Sequence, residues 1–271
     1  MNLAGHLLAL LADPSSAVIA LVGAGGKTSA LFGLAGELAG DCPSGALMTT
    51  TTHLFDPRLE PGRAYDGLVL DPALAAPAGP EPWDPRAAGP GRGRRIVLAA
   101  RALPEQGKLQ GIDPSRVAEL RRTWAYVLVE ADGAKRLPVK APADHEPVVP
   151  PGADLVLGLV GLACLGRPMD ERTVHRPERF GAVTGCVPGA PIRLEHLAAL
   201  TRSPQGLFKG APAGARRVLL LNQADQCRTP PAALLGELRG CGPVAADLVL
   251  VCALCEPDPA ARVLDSCTAW A

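Results

Sequence analysis

The chain has 271 residues, of which 48% are hydrophobic and 3% aromatic, and its formal net charge at pH 7 is zero. This length suits one large α/β domain whose core is packed mainly by aliphatic side chains and alanine. The lack of a basic block argues against nucleic acid or an anionic membrane as a partner. Because the sequence shows neither a secretory leader nor an apolar run long enough to cross a bilayer, we expect a cytoplasmic protein.

Short apolar segments alternate with helical segments along the chain. Strands are predicted at residues 18–22, 46–49, 67–70, 96–99, 126–129, 155–159, 218–221 and 248–251. Helices are predicted at residues 3–11, 29–39, 114–123, 194–201, 231–238 and 259–264. Most strand segments are continuously apolar, which is typical of parallel strands buried on both faces.

This alternation predicts an α/β fold, a three-layer P-loop NTPase-like sandwich around a mainly parallel, doubly wound sheet. In such folds ligands bind beyond the carboxyl ends of the strands. Residues 71–94 are rich in Pro, Gly and Ala. We therefore expect them to form a mobile surface insertion in a single domain that spans residues 1–271.

The first predicted strand leads into a segment typical of phosphate-binding loops, which consists of Gly23, Ala24, Gly25, Gly26, Lys27, Thr28 and Ser29. Glycines let successive N–H groups point at one anion, and the following helix start adds unpaired N–H groups and partial positive charge. Lys27 is predicted to contact the β- and γ-phosphates, and the Thr28 hydroxyl to bind Mg²⁺. Leu21 stands where the longer P-loop pattern has its first glycine. The short pattern also fits a tight strand-to-helix turn with a surface lysine.

Lysine usage supports the phosphate hypothesis. The chain contains 22 arginines and five lysines, and three of the lysines, Lys27, Lys135 and Lys140, lie in the two segments that look functional. Arginine does not replace a P-loop lysine, which acts as a compact charge on a flexible stem.

Two acidic residues follow the fifth predicted strand. Glu130 and Asp132 lie where a strand beside a P-loop holds Mg²⁺, and their spacing predicts that both side chains point the same way. The alternative is a pair of loop carboxylates that form ion pairs with Lys135 and Arg136.

Other polar segments also end predicted strands or lie on loops. Thr49–Thr52 and His53 are placed near the γ-phosphate, although threonine also suits strands in general. The segments 144–146 and 175–178 are candidates for a second substrate or for orienting the phosphate. Because a guanidinium stabilises the charge of a transferring phosphate, we predict Arg176 as a catalytic residue together with Lys27 and Asp132.

A candidate base site follows the seventh predicted strand. Asn222 and Asp225 are spaced as in the guanine-reading loop of GTPases, but Gln223 replaces the lysine of that loop. Residues 251–254 are similar to the short loop that completes such pockets. Both ATP and GTP therefore stay open as the nucleotide.

Together, segments 23–28, 49–53, 130–142, 175–178 and 222–225 resemble the YqeC family. The resemblance implies a P-loop protein that binds a nucleoside triphosphate with Mg²⁺ and assists the maturation of selenium-dependent molybdenum hydroxylases. Its partner would be such a hydroxylase or its cofactor-maturation machinery. A Mur-ligase-like ATP-dependent ligase or kinase, and a nucleotide-gated binding protein, are the alternatives.

Overall fold

The computed structural model describes residues 1–40, 42–79, 83–256 and 263–268. Its strands are β1 Ala17–Gly23, β2 Ala46–Thr50, β3 His53–Phe55, β4 Gly67–Leu70, β5 Arg95–Ala99, β6 Arg101–Leu103, β7 Lys108–Gln110, β8 Tyr126–Glu130, β9 Val139–Lys140, β10 Leu155–Gly161, β11 Val174–His175, β12 Arg216–Asn222, β13 Leu248–Cys252 and β14 Val263–Thr268. Its α-helices are α1 Leu3–Leu8, α2 Lys27–Ala39, α3 Val117–Leu120, α4 Pro177–Thr184, α5 Leu194–Arg202 and α6 Pro231–Gly240.

The central sheet of the described residues has nine strands in the order β14-β13-β12-β10-β1-β8-β2-β5-β4. All neighbouring strands pair in parallel except β13 and β14, which are antiparallel at one edge. Strand β1 lies between β8 and β10 in the middle of the sheet. The carboxyl ends of these three strands therefore meet at the centre of one edge.

Successive side chains of β1 pack into two separate cores. Val18, Ala20 and Val22 pack in a core with α3, α4, α5 and α6. Ile19 and Leu21 point the other way into a core with α1 and α2. Because every residue of β1 is buried, both faces of the strand are covered by helices. The predicted three-layer α/β sandwich with a mainly parallel sheet is confirmed.

All eight predicted strands are present, whereas some predicted helices differ. The segment 114–123 starts as a 3₁₀ turn capped by Asp113 and contains only the four residues of α3. Helix α1 ends at Leu8 rather than residue 11, and α2 begins at Lys27 rather than residue 29. Of the helix predicted at 259–264, residues 259–262 lie outside the described residues. Its last two residues belong to β14, because pairing with β13 prevails over local helical preference.

Several short elements are absent from the sequence predictions. Strands β3, β7 and β6 form a small antiparallel sheet, and β9 pairs with β11. Helix α4 was also missed. In the 71–94 insertion, 3₁₀ turns cover Pro72–Ala75 and Pro85–Ala88, and Leu74 is fully buried. The described parts of this insertion therefore have packed anchor points.

In the described part of the chain, every helix falls short of the length or the hydropathy that crossing a bilayer requires.

Candidate functional site

The loop between β1 and α2 has a backbone conformation that depends on its glycines. Gly23, Gly25 and Gly26 have φ angles of 91°, 82° and 127°, a region that glycine adopts without steric strain. A side chain at Gly25 would collide with the backbone of Gly161. Gly26 is the N-cap of α2 and offers no side chain to the first helical N–H groups. Those groups therefore lie at a helix start where an anion can bind them.

Lys27 is folded back against this loop. Its Nζ donates a hydrogen bond to the Gly23 carbonyl at 2.7 Å and lies 3.1 Å from Oδ1 of Asp132. Burial acts to lower the pKa of Lys27, but the carboxylates of Asp132 and Glu130 raise it, and the pKa lies above its ordinary value. The lysine is therefore a buried, charged group at this loop between β1 and α2, which we call the phosphate loop after the function that its sequence predicts.

Asp132 binds both the loop and the lysine side chains next to it. Its Oδ2 accepts a hydrogen bond from the Gly23 N–H at 3.0 Å and forms an ion pair with Lys140 at 2.9 Å. With Lys27 on its other oxygen, the carboxylate binds one loop amide and two buried lysines. Asp132 is 1% exposed, and the structure places it as a support of the loop rather than at the cleft surface.

Glu130 has different surroundings, although it lies only two residues earlier. Its Oε2 accepts a hydrogen bond from the Thr28 hydroxyl at 3.1 Å, and both residues line the cleft. Burial, together with the nearby Asp132, raises the pKa of Glu130 to about 7, although Lys27 and Thr28 oppose the rise. The two predicted Mg²⁺ ligands Thr28 and Glu130 are thus adjacent, and Asp132 is turned towards the lysines.

The pairing of β1 with β8 explains this assembly. Leu21 of β1 is in register with Glu130 of β8, so both strands reach the edge of the sheet together. Strand β8 ends at Glu130, so Asp132 lies beyond the strand, where the strict alternation of side chains no longer applies. Glu130 and Asp132 therefore approach the same loop but bind different partners.

The oxygen atoms of Thr28 and Glu130 suit Mg²⁺, which prefers hydroxyl and carboxylate oxygens together with water and substrate phosphates. No group of three or more His, Cys, Asp or Glu side chains among the described residues could hold a metal on its own. A Mg²⁺ ion at this position would need further oxygen ligands from water or a phosphate.

Arg176 lies at the end of a chain of buried charges. Lys140 bridges Asp132 and Glu146, and Nη1 of Arg176 donates to Oε2 of Glu146 at 2.7 Å. Burial favours the neutral form of Glu146, but Arg176 and Lys140 lower its pKa to about 2. Glu146 lines the cleft and Arg176 does not. The guanidinium therefore lies behind Glu146 and contacts the cleft lining only through that carboxylate.

Asn222 connects the phosphate loop to the carboxyl ends of β12 and β13. Its Nδ2 donates to the Gly25 carbonyl at 2.8 Å, and its Oδ1 accepts from the Leu254 N–H at 3.0 Å. Gln223 also lines the cleft, and its side-chain oxygen is buried without a hydrogen-bond partner in the described part of the chain. Asp225 is exposed and does not line the cleft, so the structure separates it from Asn222.

The run of threonines has mixed roles. Thr49, Thr50 and Thr51 donate their hydroxyl groups to backbone carbonyls at 2.7–2.8 Å. Thr52 and His53 line the cleft. Most of this run therefore stabilises the end of β2, and its last two residues face the candidate site.

The cleft at this edge has a volume of about 500 Å³. Four basic side chains line it outside the phosphate loop, and we call them the basic wall: Arg63, Lys108, Lys135 and Arg136. Arg63 donates to the Ser29 hydroxyl at 3.4 Å, which connects this wall to the start of α2.

Strained backbone is concentrated around the same cleft. Lys135, Arg136, Arg176 and Gln223 are the non-glycine residues of the described chain with positive φ, at 48°, 61°, 67° and 64°. Three of them line the cleft, and Arg176 binds a residue that does. Such strain is typical of functional sites, because a surrounding structure must hold it in place.

Sequence reasoning named Lys135 and Arg136 and missed the other two residues of the basic wall. Lys108 lies in the unpredicted small sheet and Arg63 on the chain between β3 and β4, and only their position in the fold reveals them. The scarcity of lysine offered one usable signal, because Lys27, Lys108 and Lys135 are three of five lysines and all line one cleft.

Comparison with known proteins gives the family. A family model described as "YqeC protein" matches residues 19–178, more than half of the chain. A protein from Escherichia coli (strain K12) described as "Uncharacterized protein YqeC" is 38% identical over 214 residues, which cover 78% of this chain and 77% of the relative. The chain belongs to the YqeC family. No solved structure matches it.

The residues matched by the YqeC model contain the phosphate loop, Glu130, Asp132 and Arg176, and they end before Asn222 and Asp225. The family match therefore covers the candidate phosphate and Mg²⁺ residues, and the candidate base residues lie beyond the matched range.

Proposed function

We propose that the protein binds a Mg²⁺–nucleoside triphosphate in this cleft, with the phosphates on the loop between β1 and α2. The observation that carries the proposal is the buried, charged Lys27 beneath a glycine loop at a helix start, with the Thr28–Glu130 pair beside it. These features provide N–H donors, a cation and oxygen ligands within one site.

Each residue has a definite task in this proposal. Lys27 binds phosphate oxygens, and Asp132 keeps the lysine charged and close to the loop. Thr28 and Glu130 would hold Mg²⁺, which would neutralise phosphate charge and orient the phosphates. Asn222 fixes the shape of the loop through the Gly25 carbonyl.

The nucleotide base is open between adenine and guanine. Gln223 supports base binding at the β12 end of the cleft, because its buried oxygen has no partner among the described residues and could accept a hydrogen bond from a ligand. Asp225 remains the predicted guanine contact, and its exposed position means that a base would have to reach beyond the cleft lining.

We further propose that the protein hydrolyses the nucleotide and assists the maturation of a selenium-dependent molybdenum hydroxylase. Membership in the YqeC family and the resemblance of the sequence segments support this role. Hydrolysis would then depend on a protein partner, whereas a Mur-ligase-like enzyme would need a small second substrate.

Titration calorimetry with ATP and GTP, with and without Mg²⁺, tests the binding proposal. We expect Lys27→Ala to weaken binding about ten- to a hundredfold, because one charge-assisted phosphate contact is lost. Arg122→Ala is the control, since Arg122 is an exposed cation that does not line the cleft. Unchanged affinity in a folded Lys27→Ala variant would remove the phosphate-loop assignment.

Phosphate release tests the accessory role. We expect turnover to rise when the purified hydroxylase is added to the protein and nucleotide. Turnover that requires a small carboxylate or hydroxyl compound, and ignores the hydroxylase, would favour the ligase alternative.

A further inference from the structure

The basic wall is built on different elements from the phosphate loop. Lys108 begins β7, Arg63 follows β3 along the chain, and Lys135 and Arg136 lie on the loop between β8 and β9. The phosphate loop already has its own cation in Lys27 and its own helix start. The wall therefore adds positive charge beyond that of the loop.

The arginines of the wall are held in place by Glu60 and two aromatic rings. Glu60 forms ion pairs with Arg63, at 3.1 Å, and with Arg136. The guanidinium of Arg136 lies 4.1 Å from the centroid of Phe55, and that of Arg63 lies 5.6 Å from the centroid of Phe32. These contacts order the two guanidinium groups, since cations bind favourably to aromatic faces.

The lysines of the wall have no such counter-charge. Within the described chain, neither Lys108 nor Lys135 forms an ion pair. Lys108 lies 5.7 Å from the centroid of Phe55. Lys135 is exposed and is held at a positive φ in the loop that lines the cleft. Two lysines without a carboxylate partner thus line the cleft in a chain that has only five lysines.

Two histidines near the basic wall have pKa values below the ordinary value for histidine. Burial and the nearby Lys108 lower the pKa of His53, which lines the same cleft. Burial, with Arg176, Lys140 and Lys135, lowers the pKa of His175 to about 4. His175 is therefore neutral at pH 7, and both lowered pKa values reflect nearby positive charge in addition to burial.

We propose that the basic wall binds a second, anionic ligand, carrying a phosphate or carboxylate group, beside the nucleotide. This inference rests on the proposed nucleotide site and assigns the chemical class of the molecule bound next to the nucleotide. Lys108 and Lys135 supply the free charges, and Arg136 supplies an ordered guanidinium. Phosphate and carboxylate share the negative oxygens that these groups bind.

Two variants separate the wall from the phosphate loop. Lys27→Ala removes the cation of the loop and leaves the wall intact, and Lys108→Ala/Lys135→Ala does the reverse. The control is Arg122→Ala/Arg172→Ala, which removes two exposed positive charges outside the cleft. Each variant is titrated with inorganic phosphate, with citrate, and with ATP, GTP, ADP and GDP in the presence of Mg²⁺, at fixed ionic strength.

We expect Lys27→Ala to keep the anion affinity of the wall within about twofold of the control variant. The double lysine variant should bind the anion about tenfold or more weakly and keep its nucleotide affinity. Binding of phosphate alone would assign a ligand with a phosphate group, and binding of citrate alone a ligand with a carboxylate group.

Three results would overturn the inference. The first is an absence of both phosphate and citrate binding in Lys27→Ala, and the second is unchanged anion affinity in the double lysine variant. The third is a loss of triphosphate but not diphosphate affinity in the double lysine variant, which would place these lysines on the γ-phosphate. Failure of the nucleotide proposal has a separate signature, which is unchanged nucleotide affinity in Lys27→Ala.

Discussion

The phosphate loop and the basic wall line one cleft but hold their charged side chains in different ways. Behind the loop, the side chains of Lys27 and Asp132 are 4% and 2% exposed, and each is paired. On the wall, Lys135 is exposed and Lys108 is half-buried, and neither has an ion-pair partner in the described chain. Buried charges must be matched because desolvation is expensive, whereas exposed charges stay hydrated until a ligand arrives.

This difference separates a structural use of charge from a recognition use. Removing a charge behind the loop should lower stability, and removing one from the wall should leave stability almost unchanged.

Asp132→Asn should have the largest effect. The substitution leaves the buried Lys27 and Lys140 without their shared carboxylate, so we expect the free energy of unfolding to fall by about 3–5 kcal/mol. Urea denaturation measures the change, and Asp225→Asn at an exposed position is the matched control, within about 0.5 kcal/mol of wild type. A loss below about 1 kcal/mol would mean that other groups balance the two lysines.

Glu130→Gln should have an effect that depends on pH. Because the pKa of Glu130 is raised from 4.5 to about 7 on folding, the folded state binds more protons in this window and wild-type stability falls as pH rises through it. The glutamine variant lacks this loss. Its stability relative to wild type should therefore increase by about 3 kcal/mol between pH 4 and pH 8 in metal-free buffer. A stability difference that is constant with pH would contradict the prediction.

The sequence predicted the strands and the loop that carry this site better than it predicted which side chains pair with each other. The eight apolar segments identified the strands because burial on both faces requires continuous apolar residues, and the glycine–lysine segment located the loop. The spacing of Glu130 and Asp132 could not show their different partners, since Lys27 and Lys140 reach Asp132 only through the fold. The small sheet was missed because three-residue strands carry too short a pattern to detect.

Asn222→Ala should have an intermediate effect. The change removes the hydrogen bonds to the Gly25 carbonyl and from the Leu254 N–H, and it leaves two buried backbone groups unpaired. We expect a loss of about 1–3 kcal/mol in the free energy of unfolding. Asn2→Ala at the surface removes one local helix cap and provides a comparison. Stability equal to wild type in Asn222→Ala would show that water replaces the amide.

Lys135→Gly should have the smallest effect on stability. Glycine removes the strain of a positive φ but adds backbone freedom to the unfolded chain, so we expect a net change within about 1 kcal/mol. Anion binding should nevertheless weaken, because a charge of the wall is lost. Thermal unfolding and anion titration on the same sample measure both quantities. A large loss of stability would place Lys135 among the structural charges.

Asn222 also links two parts of the sheet. Asn222 is the last residue of β12. Its side-chain amide binds the loop after β1 and also the backbone that follows β13. Strand β13 is in turn paired with the antiparallel edge strand β14. In the strand order, β13 lies three strands from β1 and next to the edge of the sheet. The hydrogen bonds of one side chain therefore connect the glycine loop at the centre of the sheet with the backbone near its edge.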